Sequence, residues 1–157
     1  MAQITVYTDG SALGNPGPGG YAAILISGRH RKEISGGYRR TTNNRMEIMA
    51  AIAALQQIQG SAHEIELVSD SKYLTEPFNK RWVVGWINRK WKNVKNPDLW
   101  KQLLDLVEAH HMQWTWIKGH NQHPENERCD LLAKEAASKS ELLEDQGYIE
   151  SKEANMD

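Results

Sequence analysis

Residues 4–27 contain the stretch ITVYTDGSALGNPGPGGYAAILIS, which decides the fold. Its first part, residues 4–8, alternates in polarity and is rich in β-branched side chains, as is typical of a strand. Five of the twelve glycines of the chain then fall between positions 10 and 20, which predicts a tight loop. Residues 21–27 are mostly apolar and predict a second strand, so the stretch contains two strands joined by a glycine-rich turn.

The rest of the chain adds strands and helices to this start. A third strand is predicted at residues 33–38, after a turn near Gly28. A helix is predicted at residues 44–58, where apolar residues recur at helical spacing and Asn44 stands three residues before Glu47, as in a capping box. Pro77 is expected to end a short helix that starts at residue 72. The remaining patterns predict strands at residues 65–69 and 112–117, and helices at residues 72–76, 82–91, 97–110 and 124–139.

The order of these elements, β-β-β-α-β-α-α-α-β-α, predicts an α/β fold. Three consecutive strands favour an antiparallel meander, and later strands that alternate with helices favour parallel additions to the same sheet. We therefore expect a mixed five-stranded sheet, three antiparallel strands and then two parallel ones, with helices on both faces. We interpret residues 1–140 as a single domain and residues 141–157 as an acidic C-terminal appendage.

Composition limits the class of protein. The chain has 157 residues, enough for one domain with its own core, and its 39% hydrophobic and 25% charged residues are typical of a globular protein. No run of about 18 apolar residues is present, so we expect no membrane span. Residues 1–7 suggest a strand and not a signal peptide. The single cysteine, Cys129, cannot form an internal disulfide, so we expect a cytoplasmic location.

The net charge of −1 conceals an uneven distribution. Residues 72–101 contain eight Lys or Arg and two acids, whereas residues 125–157 contain ten acids and four bases. Trp82, Trp86 and Trp91 are interleaved with the basic residues, and the combination suits stacking on bases and neutralisation of phosphates. The alternatives are a solvated helix face and a tryptophan seam between helices, and we expect the seam for at least one of the three tryptophans.

Four acidic residues carry the strongest chemical signal. Asp9 and Asp70 each follow a predicted strand, and in a sheet whose first and fourth strands are parallel neighbours they emerge side by side. Glu47 lies in the first turn of one helix and Asp130 in the second turn of the last. Crowded carboxylates repel unless cations neutralise them, and ligands that are all oxygen suit Mg²⁺ or Mn²⁺. Taken singly, each acid also fits a turn or a helix cap.

Two histidines near Asp130 allow more than one interpretation. His120, His123 and Cys129 could together suggest a zinc site, but their spacing fits no common zinc pattern. A histidine beside a carboxylate cluster suits proton transfer, because its pKa lies near neutrality. We therefore predict that His120 carries protons and that His123 is solvated.

Four motifs together resemble those of one known family, the bacterial type 1 ribonucleases H. In chain order they are YTDGS at 7–11 with GNPGPGGY at 14–21, TTNNRME at 41–47, SDS at 69–71, and KGH at 118–120 with HPENERCD at 123–130. The resemblance extends from about residue 4 to residue 148. Each motif is weak alone, but four in the same order are not expected by chance.

The resemblance implies a ribonuclease H-like fold and an endonuclease that hydrolyses the RNA strand of RNA–DNA hybrids, leaving 5′-phosphate and 3′-hydroxyl ends. It implies a mobile proton shuttle at His120, and a monomer that cuts with little regard to sequence, since phosphate contacts carry no base code. The implied cofactor is Mg²⁺, with Mn²⁺ as a possible substitute, bound by Asp9, Glu47, Asp70 and Asp130. The implied substrate contacts are Asn15, Arg40, Thr42, Asn43, Asn44, Trp82, Trp86 and Asn96.

Two features depart from the family pattern. The stretch at residues 91–96 is several residues short and lacks lysines usual there, which predicts weaker hybrid binding with the chemistry intact. Lys72 replaces a neutral amide, which puts its substrate contact in doubt.

Two other functions stay open: a recombinase or DNA nuclease of the same fold, and a hybrid-binding module without catalysis. Glu47, Asn43 and Asn44 argue against the first, because the resemblance implies that they contact the hybrid where a ribose 2′-hydroxyl distinguishes RNA from DNA. The presence of all four carboxylates argues against the second.

Overall fold

The computed structural model describes residues 2–119, 123–139 and 141–154. Its sheet contains β1 (Gln3–Ala12), β2 (Gly17–Ser27), β3 (His30–Thr41), β4 (Glu64–Ser69) and β5 (His111–Trp116). The strands lie in the order β3-β2-β1-β4-β5. The first three are antiparallel, and β4 and β5 are added in parallel to β1. The predicted mixed sheet is therefore confirmed.

Helices cover both faces of this sheet. Ala23 of β2 belongs to the larger core together with residues of α1, whereas Ala22, which faces the other way, packs against Ala133 of α5. Among the residues the structure describes, no helix combines the length and apolarity that crossing a membrane requires. The described helices are α1 (Asn43–Gln56), α2 (Lys72–Asn79), α3 (Trp82–Asn88), α4 (Pro97–Val107), α5 (Pro124–Ala137) and α6 (Gln146–Ala154).

The hairpin of β1 and β2 is longer than the sequence predicts. Its ladder continues until Ala12 pairs with Gly19, which leaves residues 13–16 as the loop. A side chain at Gly20 would overlap the backbone of Ala133, so this glycine lets α5 lie directly on the sheet. The prediction of a tight loop across positions 10–20 is therefore wrong in its extent, because four of its five glycines lie within paired strands.

The ends of two helices also differ from the prediction. Thr42, and not Asn44, caps α1, since its hydroxyl accepts a hydrogen bond from the Arg45 amide at 3.2 Å. Helix α2 continues through Pro77 to Asn79. The Phe78 ring in its last turn stacks on Trp114 with centroids 4.0 Å apart, and this packing offsets the hydrogen bond that proline removes.

Residues 141–154 pack against the rest of the chain. The Arg39 amide donates to the Leu143 carbonyl at 2.7 Å, and both Asp145 and Tyr148 are buried. The sequence pattern did not indicate this packing, because Asp145 contacts Arg45, a residue 100 positions earlier. The division of the chain at residue 140 stays a prediction.

Candidate active site

Asp9 and Asp70 reach the same edge of the sheet. The parallel register of β1 and β4 pairs Thr8 with Ser69, so the next residue along each chain segment arrives at the same level. Asp9 is buried at 4% exposure, and Asp70, directly after β4, is half-buried. The two carboxylates are therefore neighbours as a direct consequence of strand order.

Glu47 joins them because α1 crosses β1 very closely. A side chain at Gly10 would overlap the backbone of Met46 and Glu47, so only glycine allows this approach. The Gly10 amide donates to Glu47 Oε1 at 2.8 Å and to Asp9 Oδ1 at 2.9 Å. A single backbone amide thus holds both carboxylates in place.

The three acids form one cluster. One carboxylate oxygen from each of Asp9, Glu47 and Asp70 lies within 4.8 Å of the others. The second oxygen of Glu47, Oε2, is buried and has no hydrogen-bond partner among the residues that the structure describes. A buried carboxylate oxygen without a partner is costly, and a cation between these carboxylates would satisfy it. A site built from oxygen ligands alone fits Mg²⁺ or Mn²⁺.

Burial and mutual repulsion raise the pKa of both Asp9 and Glu47. For Asp9 the larger cause is burial, followed by the charges of Glu47 and Asp70. For Glu47 burial is again the larger cause, and the charge of Asp70 adds to it. Burial and the neighbouring negative charges therefore disfavour the ionised forms of Asp9 and Glu47, and a bound cation would reverse that effect.

Asp130 lies beside the cluster on α5. Its carboxylate is 3.0 Å from Lys134 Nζ, one helical turn further on. The negative charge of Asp130 is one of the causes that raise the pKa of Asp9, so Asp130 acts on the cluster from α5. The structure thus gathers three of the four predicted metal ligands and places the fourth next to them, paired with a lysine.

The predicted proton shuttle, His120, lies outside the described residues. Its neighbour Gly119 packs against the cluster, since a Cβ atom there would lie 2.7 Å from Asp70 Oδ2. His123 is described and precedes the first turn of α5 as its N-cap residue. The Cys129 thiol is fully buried and donates to the Tyr7 carbonyl at 3.4 Å, and burial raises its pKa, which disfavours the thiolate that zinc needs.

Comparisons with known proteins agree with this geometry. A sequence profile of the RNase H family matches residues 1–138. The ribonuclease H of Aeromonas salmonicida is 54% identical over 153 residues, which cover 94% of this chain and 98% of that protein. This chain belongs to the ribonuclease H family. The ribonuclease H of Syntrophus aciditrophicus is 52% identical and covers 93% of this chain and 87% of its own length.

Solved structures of the ribonuclease H family share the fold. LC9-RNase H1, described as a type 1 RNase H with the type 2 active-site motif, is 30% identical with a TM-score of 0.78. That match covers 87% of this chain and 72% of the other. RNase H1 of the halophilic archaeon Halobacterium salinarum is 29% identical with a TM-score of 0.62, covering 85% of this chain and 96% of its own. The predicted ribonuclease H-like fold is therefore confirmed.

Most residues that the family resemblance assigns to substrate lie near one groove. Asn15, Thr42, Asn44 and Asn96 line this groove, whose volume is about 520 Å³. Asn43 ties the β1–β2 hairpin to α1, because its side chain accepts from the Ala12 amide at 2.6 Å and its amide donates to Asn15 at 3.1 Å. Arg40 is exposed near the end of β3 and is not part of the groove lining.

The basic handle, defined as residues 80–96, has one exposed tryptophan and one that packs against the rest of the protein. Trp82 is 45% exposed, and Lys80 Nζ lies 5.4 Å from the centroid of its ring. Trp86 instead packs edge-on against Trp100 of α4, with centroids 5.2 Å apart, and also contacts Trp91. The exposure of Trp82 therefore fits a surface that stacks on nucleic acid. Trp86 instead belongs to a tryptophan seam between helices, the alternative that the sequence analysis also considered.

This difference predicts that two alanine substitutions affect different properties, hybrid binding in one case and stability in the other. Trp82→Ala is expected to weaken hybrid binding by about 1–3 kcal/mol through lost stacking, with little change in stability. Trp86→Ala is expected to lower the free energy of unfolding by about 3 kcal/mol, because it leaves a cavity against Trp100. Fluorescence anisotropy with a labelled hybrid, in Ca²⁺ to prevent cutting, and thermal unfolding would measure the two effects. Wild-type affinity for Trp82→Ala would contradict the stacking role.

Sequence reasoning missed one aromatic residue beside the cluster. Trp116, at the end of β5, is 42% exposed, and its Nε1 donates to the Asp70 carbonyl at 3.0 Å. Lys72 Nζ lies 4.7 Å from the centroid of the Trp116 ring. The only signal was the position of Trp116 at the end of an alternating strand, next to the KGH motif. The Trp116 ring thus supports the Asp70 backbone and holds Lys72 near the same edge.

Proposed function

We propose that this member of the ribonuclease H family hydrolyses the RNA strand of RNA–DNA hybrids at the Asp9–Glu47–Asp70 cluster. The observation that carries the proposal is the convergence of these three carboxylates, with Glu47 Oε2 buried and without a partner among the described residues. Asp130, which is paired with Lys134 at 3.0 Å, would complete the proposed metal ligands. The cofactor is Mg²⁺, and Mn²⁺ can substitute because it prefers the same oxygen ligands.

Divalent ions at such a site supply a water of lowered pKa and stabilise the charge on the leaving oxygen. The chain's own residues supply position. The Gly10 amide fixes Asp9 and Glu47, and the β4–β5 edge fixes Asp70. His120 is proposed to carry a proton and to assist release of the product, and its placement lies outside the described residues. The products are a 5′-phosphate and a 3′-hydroxyl.

The groove and the basic handle are proposed to bind the hybrid. Asn15, Asn43 and Asn44 face its minor groove, and Arg40, Thr42 and Asn96 hold a phosphate of the DNA strand. Trp82 of the handle stacks against the DNA strand, and Trp86 contributes by supporting the handle from inside. Because these contacts are to backbone and sugar, cutting is largely independent of sequence.

The protein is further proposed to act as a monomer in the cytoplasm. The proposed ligands all belong to one chain, so the site needs no second copy. Its one cysteine is buried and suits a reducing compartment.

The test is a cleavage assay with the RNA strand labelled in an RNA–DNA hybrid. Double-stranded RNA, double-stranded DNA and single-stranded RNA serve as controls, each with Mg²⁺, with Mn²⁺ and with chelator. Cutting of RNA only in the hybrid, and only with a divalent ion, is the expected result. A gel shift of the hybrid without cutting in either metal would favour a non-catalytic hybrid-binding module. Cutting of duplex DNA would favour another nuclease of the same fold and would remove the ribose-reading roles.

A further inference from the structure

We infer that α6 extends the site for the DNA-strand phosphates, with Lys152 as an additional phosphate ligand. This inference rests on the proposed function, because it takes the hybrid to lie along the groove that Thr42 and Asn96 line. It gives a role to the C-terminal segment, for which the sequence pattern suggested none.

The groove has two walls from distant parts of the chain. One wall is formed by the β1–β2 loop, the start of α1 and the segment before α4. The other wall is formed by Tyr148, Ser151 and Lys152 of α6. Without α6 the groove would be an open ledge on one side of Thr42 and Asn96.

The groove is lined by basic and neutral residues, although the C-terminal part of the chain that contains α6 is acidic. Residues 125–157 contain ten acids and four bases, yet none of the described residues that line the groove is acidic. Lys95 lines it from the handle, and Lys152, the only base in α6, lines it from the other wall. Two ammonium groups with neutral amide and hydroxyl groups between them suit a phosphodiester backbone.

A buried ion network fixes α6 at this place. Asp145, just before α6, accepts from Arg45 Nε at 2.8 Å, from Arg45 Nη2 at 2.9 Å and from the Thr41 hydroxyl at 2.6 Å. The same guanidinium donates to Asn96 Oδ1 at 3.2 Å. One buried arginine thus positions both the helix and Asn96, a proposed phosphate ligand on the opposite wall.

Lys152 is itself held near the groove. Its Nζ lies 5.5 Å from the centroid of the Tyr148 ring, one helical turn earlier, and Tyr148 is 5% exposed. A fixed aromatic ring under an exposed ammonium group limits the positions that the ammonium samples. The charge therefore stays at the groove, where it can reach the phosphate held by Thr42 and Asn96 or the next one along the strand.

The test compares Lys152→Gln with Lys139→Gln. Lys139 is exposed after the end of α5 and does not line the groove, so it matches the change in charge. Hybrid affinity is measured in Ca²⁺ over a range of salt concentrations. Lys152→Gln is expected to bind roughly three- to tenfold more weakly and to lower the salt slope by about one unit, as loss of one phosphate contact does. The kcat at saturating hybrid and the Tm are expected to stay unchanged, and Lys139→Gln is expected to match wild type in every respect.

The strand is identified with hybrids that carry single neutral methylphosphonates. A methylphosphonate at one position of the DNA strand is expected to weaken hybrid binding by wild-type protein. The same methylphosphonate is expected to cause no further loss of binding by Lys152→Gln. Coupling to an RNA-strand phosphate would overturn the assignment, as would a wild-type affinity and salt slope for Lys152→Gln. Failure of the proposed function is distinct, because wild-type protein would then not cut the hybrid, whereas failure of this inference leaves cutting by wild-type protein intact.

Discussion

Asp70→Asn is expected to reduce hybrid cleavage in Mg²⁺ by roughly 10³-fold or more, since several kcal/mol of charge stabilisation depends on the metal site. The fold is expected to stay intact, and the Tm without metal is expected to be equal to or higher than that of wild type. The Asp70 side chain makes no hydrogen bond within the described residues, so the substitution removes repulsion without breaking a hydrogen bond.

The neighbouring carboxylates explain why the Tm of Asp70→Asn without metal is not expected to fall below that of wild type. Burial and then the surrounding charges raise the pKa of Asp9 and Glu47, so the folded protein binds their protons more tightly than the unfolded chain does. Stability without metal therefore falls as pH rises from the ordinary carboxyl pKa through these raised values. Asp70→Asn weakens that fall, so its advantage in Tm over wild type is expected to grow as the pH rises above about 4.

Calorimetry without metal and a cleavage assay with Mg²⁺ measure the two effects together. Asp105→Asn is a suitable control, because Asp105 is exposed on α4, away from the cluster. Its activity and Tm are expected to match wild type. A Tm well below wild type for Asp70→Asn would mean that Asp70 supports the fold, and retained cleavage would remove it from the metal site.

Asp145→Ala is expected to lower the free energy of unfolding by about 3 kcal/mol, at the lower end of the range for breaking a buried ion pair. Arg45 is 2% exposed and would lose two of its hydrogen bonds, although Asp98 would still accept from it at 2.7 Å. For a domain of this size the loss corresponds to a fall in Tm of about 10 °C.

Glu144, the residue before Asp145, offers a matched control for Asp145→Ala. Glu144 pairs with Arg39 at 3.0 Å, but both side chains are largely exposed. Glu144→Ala is therefore expected to change stability by less than about 1 kcal/mol. Chemical denaturation of both variants makes the comparison. Equal, small effects would show that Asp145 does not anchor α6, whereas a large loss for Asp145 alone supports the buried network.

The sequence was sufficient for the parts of the site that depend on strand order. Asp9 and Asp70 follow strands whose type and sequence position the apolar pattern predicts, and the parallel pairing of β1 with β4 then brings them together. Glu47 needed one further feature, the close crossing of α1 over β1 at Gly10. A pattern of single residues does not report such a crossing. The position of Glu47 in the first turn of its helix allowed a place in the cluster, and the family resemblance implied it.

Other features depend on contacts between distant residues and were not predictable. Arg45 and Asp145 are 100 positions apart, and neither one alone differs from an ordinary surface charge in the sequence. Trp82 and Trp86 share one helical face by spacing, yet only Trp86 meets Trp100. Helix α2 passes Pro77 because Phe78 stacks on Trp114, a contact that the local pattern does not contain.

The most direct measurement is an anomalous difference map from a crystal of the protein soaked in Mn²⁺ with an RNA–DNA hybrid bound. Two crystals are compared. The Asp70→Asn variant is crystallised with hybrid, which it is not expected to cut, and wild-type protein, which has all the carboxylate ligands, is crystallised without hybrid. Anomalous peaks among the oxygens of Asp9, Glu47 and Asp70 in the wild-type crystal, and weakened peaks in Asp70→Asn, are the predicted result. A protein that cuts hybrid in Mn²⁺ while the metal binds elsewhere would contradict the carboxylate cluster as the catalytic centre.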